Sequence, residues 1–138
     1  MDIVLSATTE IIQQEVTTQN VIALLPGTDE ALNDEYIVVG AHYDHLGWGG
    51  KGSGSRRPDT TAIHNGADDN ASGVAAVLEI AEKLALGKLA PKRSVLFMAF
   101  GAEEMGLLGS KFFTKNPLID KSHIKQMFNL DMVGRLNP

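Results

Sequence analysis

Two adjacent carboxylates, Glu103 and Glu104, follow directly on the apolar run Ser94-Val95-Leu96-Phe97-Met98-Ala99-Phe100. Such a run reads as a buried strand, so the pair stands where a hydrophobic core meets a cleft. Negative charge is costly there unless a cation or a proton offsets it. The same arrangement recurs twice. Tyr36-Ile37-Val38-Val39-Gly40-Ala41 runs into His42-Tyr43-Asp44-His45, and the segment from Ile124 to Leu130 runs into Asp131. A fourth acidic position, Asp69, lies in Gly66-Ala67-Asp68-Asp69-Asn70. Imidazole and carboxylate donors without thiolates suit a hard or borderline divalent ion such as zinc, cobalt or manganese. There are more carboxylates than one tetrahedral zinc uses, which points to two ions sharing a bridging carboxylate. Such a pair can hold a water between them and acidify it. One carboxylate must then stay off the metal to take the water's proton, and Glu103 and Glu104 could divide those two tasks. Asp44, two residues past His42, could hold the second imidazole nitrogen and fix its tautomer.

These residues work together only if the chain gathers them. Val74, Val77, Leu78, Ala81, Leu84 and Ala85 recur at helical spacing after the Asp69 turn, and Gly87 suits the end of that helix. Asn20 to Leu25 reads as a short strand closed by Pro26-Gly27-Thr28-Asp29, and Glu10 to Val16 is also β-compatible. Gly109 to Lys115 suggests a short helix stopped by Asn116-Pro117. The Gly-, Ser- and basic-rich stretch from Gly47 to Asp59 reads as a mobile surface loop. Strands alternating with helices predict an α/β fold with a largely parallel sheet. In such sheets ligands bind beyond the carboxyl ends of the strands, and that is where His42, Asp44, Glu103, Glu104 and Asp131 fall.

Composition narrows the function. A chain of 138 residues, 43% hydrophobic, is one domain's worth, residues 1–138. The net charge of −5 argues against nucleic acid or an anionic membrane as the main partner. Without cysteine there are neither disulfides nor thiolate sites. No apolar run approaches the roughly 20 residues of a membrane span, so membrane insertion is not expected. The first residues do not resemble a signal peptide. The Gly47-Gly49-Gly52 pattern is too weak to indicate a dinucleotide site, because no helix opens after it.

Four motifs, His42-Tyr43-Asp44-His45, Gly66-Ala67-Asp68-Asp69-Asn70-Ala71-Ser72-Gly73, Gly101-Ala102-Glu103-Glu104-Met105-Gly106-Leu107-Leu108-Gly109-Ser110 and Asn129-Leu130-Asp131-Met132, closely resemble the dinuclear zinc aminopeptidases of the bacterial leucine-aminopeptidase and aminopeptidase Y type. The resemblance implies a three-layer α/β/α fold with a mixed, mostly parallel sheet. It implies that His42 and Asp131 bind one zinc, that Glu104 binds the other, and that Asp69 bridges them. Glu103 is then the general base, and Asp44 the outer partner of His42. In the family a further histidine, well downstream of the Asp131 position, completes the second zinc site. His45, His64 and His123 do not occupy a matching position, so the second site is expected to lack a ligand. The chain accordingly reads as the first part of a catalytic domain, inactive or weakly active alone, from a parent that is secreted or periplasmic.

The expected substrate is a peptide, cleaved at its N-terminal residue. A glutaminyl cyclase- or carboxypeptidase-like enzyme of the same fold is the alternative, as is a metal-free binding module. Taken singly, each site residue has a bland reading: Asp69 as a helix cap, Asp131 as a turn residue, the glutamates as solvated loop charges. An apolar face left open where later strands belong predicts self-association.

Overall fold

The computed structural model describes residues 3–12, 15–87 and 90–135. Four strands, β1 (Val21–Leu25), β2 (Tyr36–His42), β3 (Ser94–Phe100) and β4 (Ile124–Asn129), form one sheet in the spatial order β1-β3-β2-β4. The strand β2 runs parallel to both its neighbours, β3 and β4, while β1 pairs antiparallel with the outer side of β3. Two helices, α1 (Gly73–Leu86) and α2 (Leu108–Lys115), cover opposite faces.

Alternation along β2 and β3 decides which helix packs where, because successive side chains point to opposite faces. Val39, Ala41, Val95 and Phe97 face Val77 of α1, with Val74, Ala81 and Leu84 packed around them. Val38, Leu96, Met98 and Phe100 face Phe113 of α2. Both central strands are therefore buried on both sides, which is why they read as unbroken apolar runs rather than alternating ones. The result is the expected three-layer α/β/α arrangement with a mixed, mostly parallel sheet.

Register then places the chemistry. Ala41 pairs with Ala99 and His42 with Phe100, and the Tyr43 N–H donates to the Phe100 carbonyl at 3.0 Å. On the other side the Leu130 N–H donates to the Gly40 carbonyl at 2.8 Å. The three parallel strands thus finish nearly level, and Asp44, Glu103 and Asp131 emerge on one rim.

One sequence expectation needs correction. The described residues of the Glu10 to Val16 stretch, Glu10, Ile11, Ile12, Glu15 and Val16, form no strand and lie exposed outside the sheet, and Gln13 and Gln14 fall outside the described residues. β-Compatible residues do not make a strand without a partner edge and a buried face. The Gly47–Asp59 stretch lies mostly exposed at the surface, as expected of a loop, and its base is closed by Ala62 N–H to the Trp48 carbonyl (2.9 Å), His64 N–H to the Gly47 carbonyl (2.7 Å) and Gly50 N–H to the Thr60 carbonyl (3.1 Å).

Candidate metal centre

His42 closes β2 and is only 4% exposed. Its Nδ1 lies 3.1 Å from the main-chain oxygen of Asp44. A carbonyl only accepts, so this contact calls for a hydrogen on Nδ1 and leaves Nε2 facing the crevice. That nitrogen is 3.2 Å from Asp69 Oδ1, 3.5 Å from Asp131 Oδ1 and 4.0 Å from Glu103 Oε2. Asp44 meets the second imidazole nitrogen through its carbonyl, while its carboxylate stays 3.8 Å away.

The Asp44 carboxylate has a different task. Its Oδ1 accepts the Glu103 N–H at 2.9 Å and its Oδ2 the Glu104 N–H at 3.2 Å. One side chain therefore ties the turn after β3 to the exit of β2. Within that turn Ala102 takes a left-handed conformation (φ 52), which costs a residue with a Cβ of the order of 1 kcal/mol. The turn sends the two glutamates apart. Glu103 faces His42, while Glu104 Oε1 lies 2.7 Å from Nδ1 of His45.

Asp69 is held by its neighbours. The Ala67–Ser72 turn leaves helical geometry at Asp69 and Asn70, whose connecting peptide is cis. Asp68, Asn70 and Ser72 point toward the segment after β4. Asp68 Oδ1 accepts the Gly134 N–H (2.9 Å), and Ser72 Oγ accepts the Val133 N–H (3.1 Å). The buried Asn70 donates to the Leu130 carbonyl (2.9 Å) and accepts from the N–H groups of Gly73 (3.0 Å) and Met132 (3.3 Å). Three side chains thus grip the backbone that carries Asp131, and Asp69 is held facing it. A Cβ at Gly73 would collide with Asn70 Oδ1 and the Leu130 carbonyl, so only glycine fits this close approach. The second Asp68 oxygen is buried without a hydrogen bond, and Arg135 Nε approaches it at 3.5 Å.

All six residues singled out from the sequence, His42, Asp44, Asp69, Glu103, Glu104 and Asp131, meet at this rim. His45, which occupies no position matching the family's downstream histidine, also stands at this rim, against Glu104 and 3.9 Å from Asp69 Oδ1. The His42-x-x-His45 spacing was the available clue, but with no helix to put the two rings on one face it gave no geometric reason to couple them.

Two donor sets result, His42–Asp69–Asp131 and His45–Asp69–Glu104, each with ligand atoms within 4.8 Å of one another, and Asp69 belongs to both. Among the described residues no lysine or arginine pairs with Asp69, Glu103, Glu104 or Asp131. An imidazole nitrogen facing two carboxylates, with no lysine or arginine paired with them, fits a divalent cation. Partial burial pushes the Glu103 carboxyl above its ordinary pKa; His42 opposes this, and the nearby negative charges of Glu104, Asp131 and Asp44 reinforce it. A carboxyl tuned upward beside a cation site is suited to moving a proton.

The cleft itself, about 340 Å³, is lined by His42, Phe100, Glu103, Leu107, Met127 and Asp131, among others. A larger hollow of about 450 Å³ lies between β1 and α2, lined by residues such as Ile22, Phe112, Phe113 and Leu118. No titratable side chain lines that hollow, so the smaller cleft is the chemical site.

Fold, motif order and converging donors together define a metallopeptidase-type centre, and the chain belongs to peptidase family M28, which matches residues 20–138. It is 36% identical over 123 residues to leupeptin-inactivating enzyme 1 of Streptomyces exfoliatus, covering 88% of this chain and 24% of that enzyme. Among solved structures it resembles a zinc aminopeptidase from Bacillus subtilis, with TM-score 0.62 and 33% identity over 83% of this chain and 24% of that one. A glutaminyl cyclase from Bacteroides thetaiotaomicron superposes with TM-score 0.64 at 25% identity, over 86% of this chain and 42% of that one. The chain spans about a quarter of the length of the curated relatives it matches.

Proposed function

We propose that this chain carries the metal-binding and acid–base residues of a zinc-dependent aminopeptidase. The observation behind this reading is the convergence of Asp69 and Asp131 on Nε2 of the buried His42, with Glu103 just beyond them at 4.0 Å. His42, Asp69 and Asp131 would hold a zinc ion, and Asp69 and Glu104 would contribute to a second. Bound there, zinc supplies Lewis acidity, which polarises a carbonyl and acidifies water.

The chain's own residues do the rest. Glu103 takes a proton on its carboxylate and returns it to the departing amine, a cycle favoured by its raised pKa. The Asp44 carbonyl keeps the His42 lone pair aimed outward, and the Asp44 carboxylate keeps Glu103 at its distance. The substrate is a peptide with a free N-terminus. Its amino group is cationic, and the negative rim of Glu104, Asp69 and Asp131 attracts it.

The cleft is open to water, with Asp131 43% exposed. Water weakens electrostatic stabilisation, so the isolated chain is expected to bind metal well and turn over slowly. The unpaired outer edge of β4, with Met127 and Phe128 exposed beside it, favours pairing with a second copy. Light scattering at high concentration should then report a mass above that of the monomer.

The deciding assay compares zinc-loaded protein on amino-acid anilides, on acyl-blocked peptides and on peptides with N-terminal glutamine. Release from the anilide alone supports the aminopeptidase reading. Cleavage of blocked peptides, or ammonia release by cyclisation of glutamine, would replace it. Glu103→Ala should keep the zinc and lose about 10²–10⁴-fold in turnover; an active variant removes the base assignment.

A further inference from the structure

Because β1 runs antiparallel to β3, its beginning lies beside the carboxyl end of β3, at the rim that carries the site. Val21 pairs with Ala99, two residues before Gly101. Thr18, Gln19 and Asn20, which lead into β1, therefore stand against the turn that holds Glu103 and Glu104. We propose that Asn20 is a positioning residue for Glu103: its carboxamide clamps the two ends of the 101–109 turn together and so fixes where the base stands. This rests on the aminopeptidase reading above and assigns a role to a residue that reading leaves unused.

The turn is closed from within by nested main-chain bonds. Gly109 N–H donates to the Gly101 carbonyl (2.9 Å), Leu108 N–H to the Ala102 carbonyl (3.0 Å) and Leu107 N–H to the Glu103 carbonyl (2.8 Å). Asn20 locks the base of that set. Its Oδ1 accepts the Gly101 N–H at 3.1 Å, and its Nδ2 donates to the Gly109 carbonyl at 2.9 Å. Both glycines are buried, so water does not simply replace a lost partner. A side-chain amide holds a donor and an acceptor side by side in one plane, whereas a carboxylate has no donor. The fit is close. A Cβ on Gly109 would collide with Asn20 Oδ1 and the Gly101 carbonyl, and one on Gly101 with Thr18 Oγ1 and the Gln19 carbonyl. The approach to β1 is itself held, since the Tyr43 hydroxyl, one residue past His42, donates to the Gln19 carbonyl at 2.7 Å.

Glu103 thus rides on a turn tethered at two points. Asp44 pins the Glu103 and Glu104 N–H groups to the exit of β2, and Asn20 pins the turn's base to the entry of β1. Between these tethers Ala102 and Leu107 are kept left-handed (φ 52 and 62). A residue with a Cβ leaves that conformation when nothing holds it there. Glu103 follows Ala102 directly, so relaxation of that residue would swing its carboxylate away from His42 Nε2, 4.0 Å distant. His42, Asp69 and Asp131 stand outside the turn and do not depend on the clamp.

The test joins amide hydrogen exchange, read by NMR, to steady-state kinetics of the zinc-loaded chain on an amino-acid anilide. Asn20→Ala should speed exchange at the Glu103, Glu104 and Gly109 amides at least about 10-fold. The Leu130 and Ala71 amides, beside Asp131 and Asp69, should be unchanged. The variant's kcat should fall about 10–100-fold, with KM and the zinc affinity of the His42–Asp69–Asp131 set within about twofold. Asn20→Asp keeps the acceptor for Gly101 and loses the donor for Gly109. It should keep the Gly101 amide protected, free the Gly109 end and lose kcat all the same. In the unmutated chain an Asn20 side-chain amide hydrogen should exchange more slowly than a solvated one, a readout that needs no variant to fold. Uniform acceleration across the sheet, the mark of a merely structural role, overturns the assignment. So does an unmoved Glu103 amide, a kcat that survives in Asn20→Ala, or a freely exchanging Asn20 side chain. An unmutated chain that releases nothing from the anilide removes the aminopeptidase reading instead, and the Glu103 amide then decides alone whether the clamp stands.

Discussion

His42 and His45 sit three residues apart and face the same carboxylate, Asp69, yet the protein holds them by different means. His42 ends a strand, is almost wholly buried, and has its tautomer set by a main-chain carbonyl. Its carboxylate partners are fixed by the grip of Asp68, Asn70 and Ser72 on the Leu130–Gly134 backbone. His45 lies in a turn and is 21% exposed; its polar contacts are to flexible side chains, and the His64 ring lies edge-on beside it. Main-chain anchoring pre-organises a site before any ion arrives, whereas side-chain anchoring leaves ordering to be done on binding. The two halves should therefore fill in order, the His42 half first and more tightly.

The largest effect should come from removing the anchored histidine. His42→Ala is expected to lower affinity for the first equivalent by more than about 100-fold, since the variant removes a proposed ligand and not a supporting partner. Calorimetric titration measures it; an unchanged first step would reverse the proposed order of the two halves.

Next is the grip itself. Asn70→Ala removes a side chain that satisfies buried backbone groups on two segments, at a cost of about 1–3 kcal/mol in stability. Metal affinity of the His42 half should fall about 10–100-fold with every ligand still present. Denaturant unfolding and zinc competition read the two numbers separately. Loss of stability with metal affinity intact would mean that Asp69 and Asp131 are not placed by this contact.

Asp44→Ala tests the other side. It frees the Glu103 and Glu104 amides but spares the Asp44 carbonyl that orients His42. Turnover and the second equivalent should suffer about 10-fold, and the first equivalent much less. An equal loss in both halves would show that the carboxylate supports the whole rim.

The smallest effect serves as a control at the opposite end of the sheet. Glu35 accepts from Arg93 Nε at 2.6 Å, with Lys125 at 3.5 Å, and these cations hold its pKa below the ordinary value. A lowered folded pKa contributes stability above the unfolded value, which is lost as pH falls through the folded one. Glu35→Gln should therefore flatten the acid side of the stability profile, while leaving both metal equivalents untouched.

How far the sequence could be read follows the same division. His42, Glu103, Glu104 and Asp131 were legible because each follows an apolar run, and strand ends in a parallel sheet share one rim. Helix α1 was legible from its stripe at Val74, Val77, Ala81 and Leu84, and it starts and stops within a residue or two of expectation. Asp69 needed the family pattern, since one carboxylate in a turn is as easily a cap. His45 was not legible, because its contact with Glu104 joins positions 59 residues apart through an irregular turn. The Asp44 carbonyl was invisible for a related reason: main-chain oxygens leave no mark in composition. Glu10–Val16 misled because β-compatible residues alone do not specify a partner strand.

The account stands or falls on where a cation sits. A crystal of the chain grown with zinc, with data collected at the zinc absorption edge, should show an anomalous peak about 2.0–2.2 Å from His42 Nε2 and from oxygens of Asp69 and Asp131, with Glu103 close by but uncoordinated. A map with no peak at that rim, or with zinc bound through Glu103 while His42 points elsewhere, would contradict it.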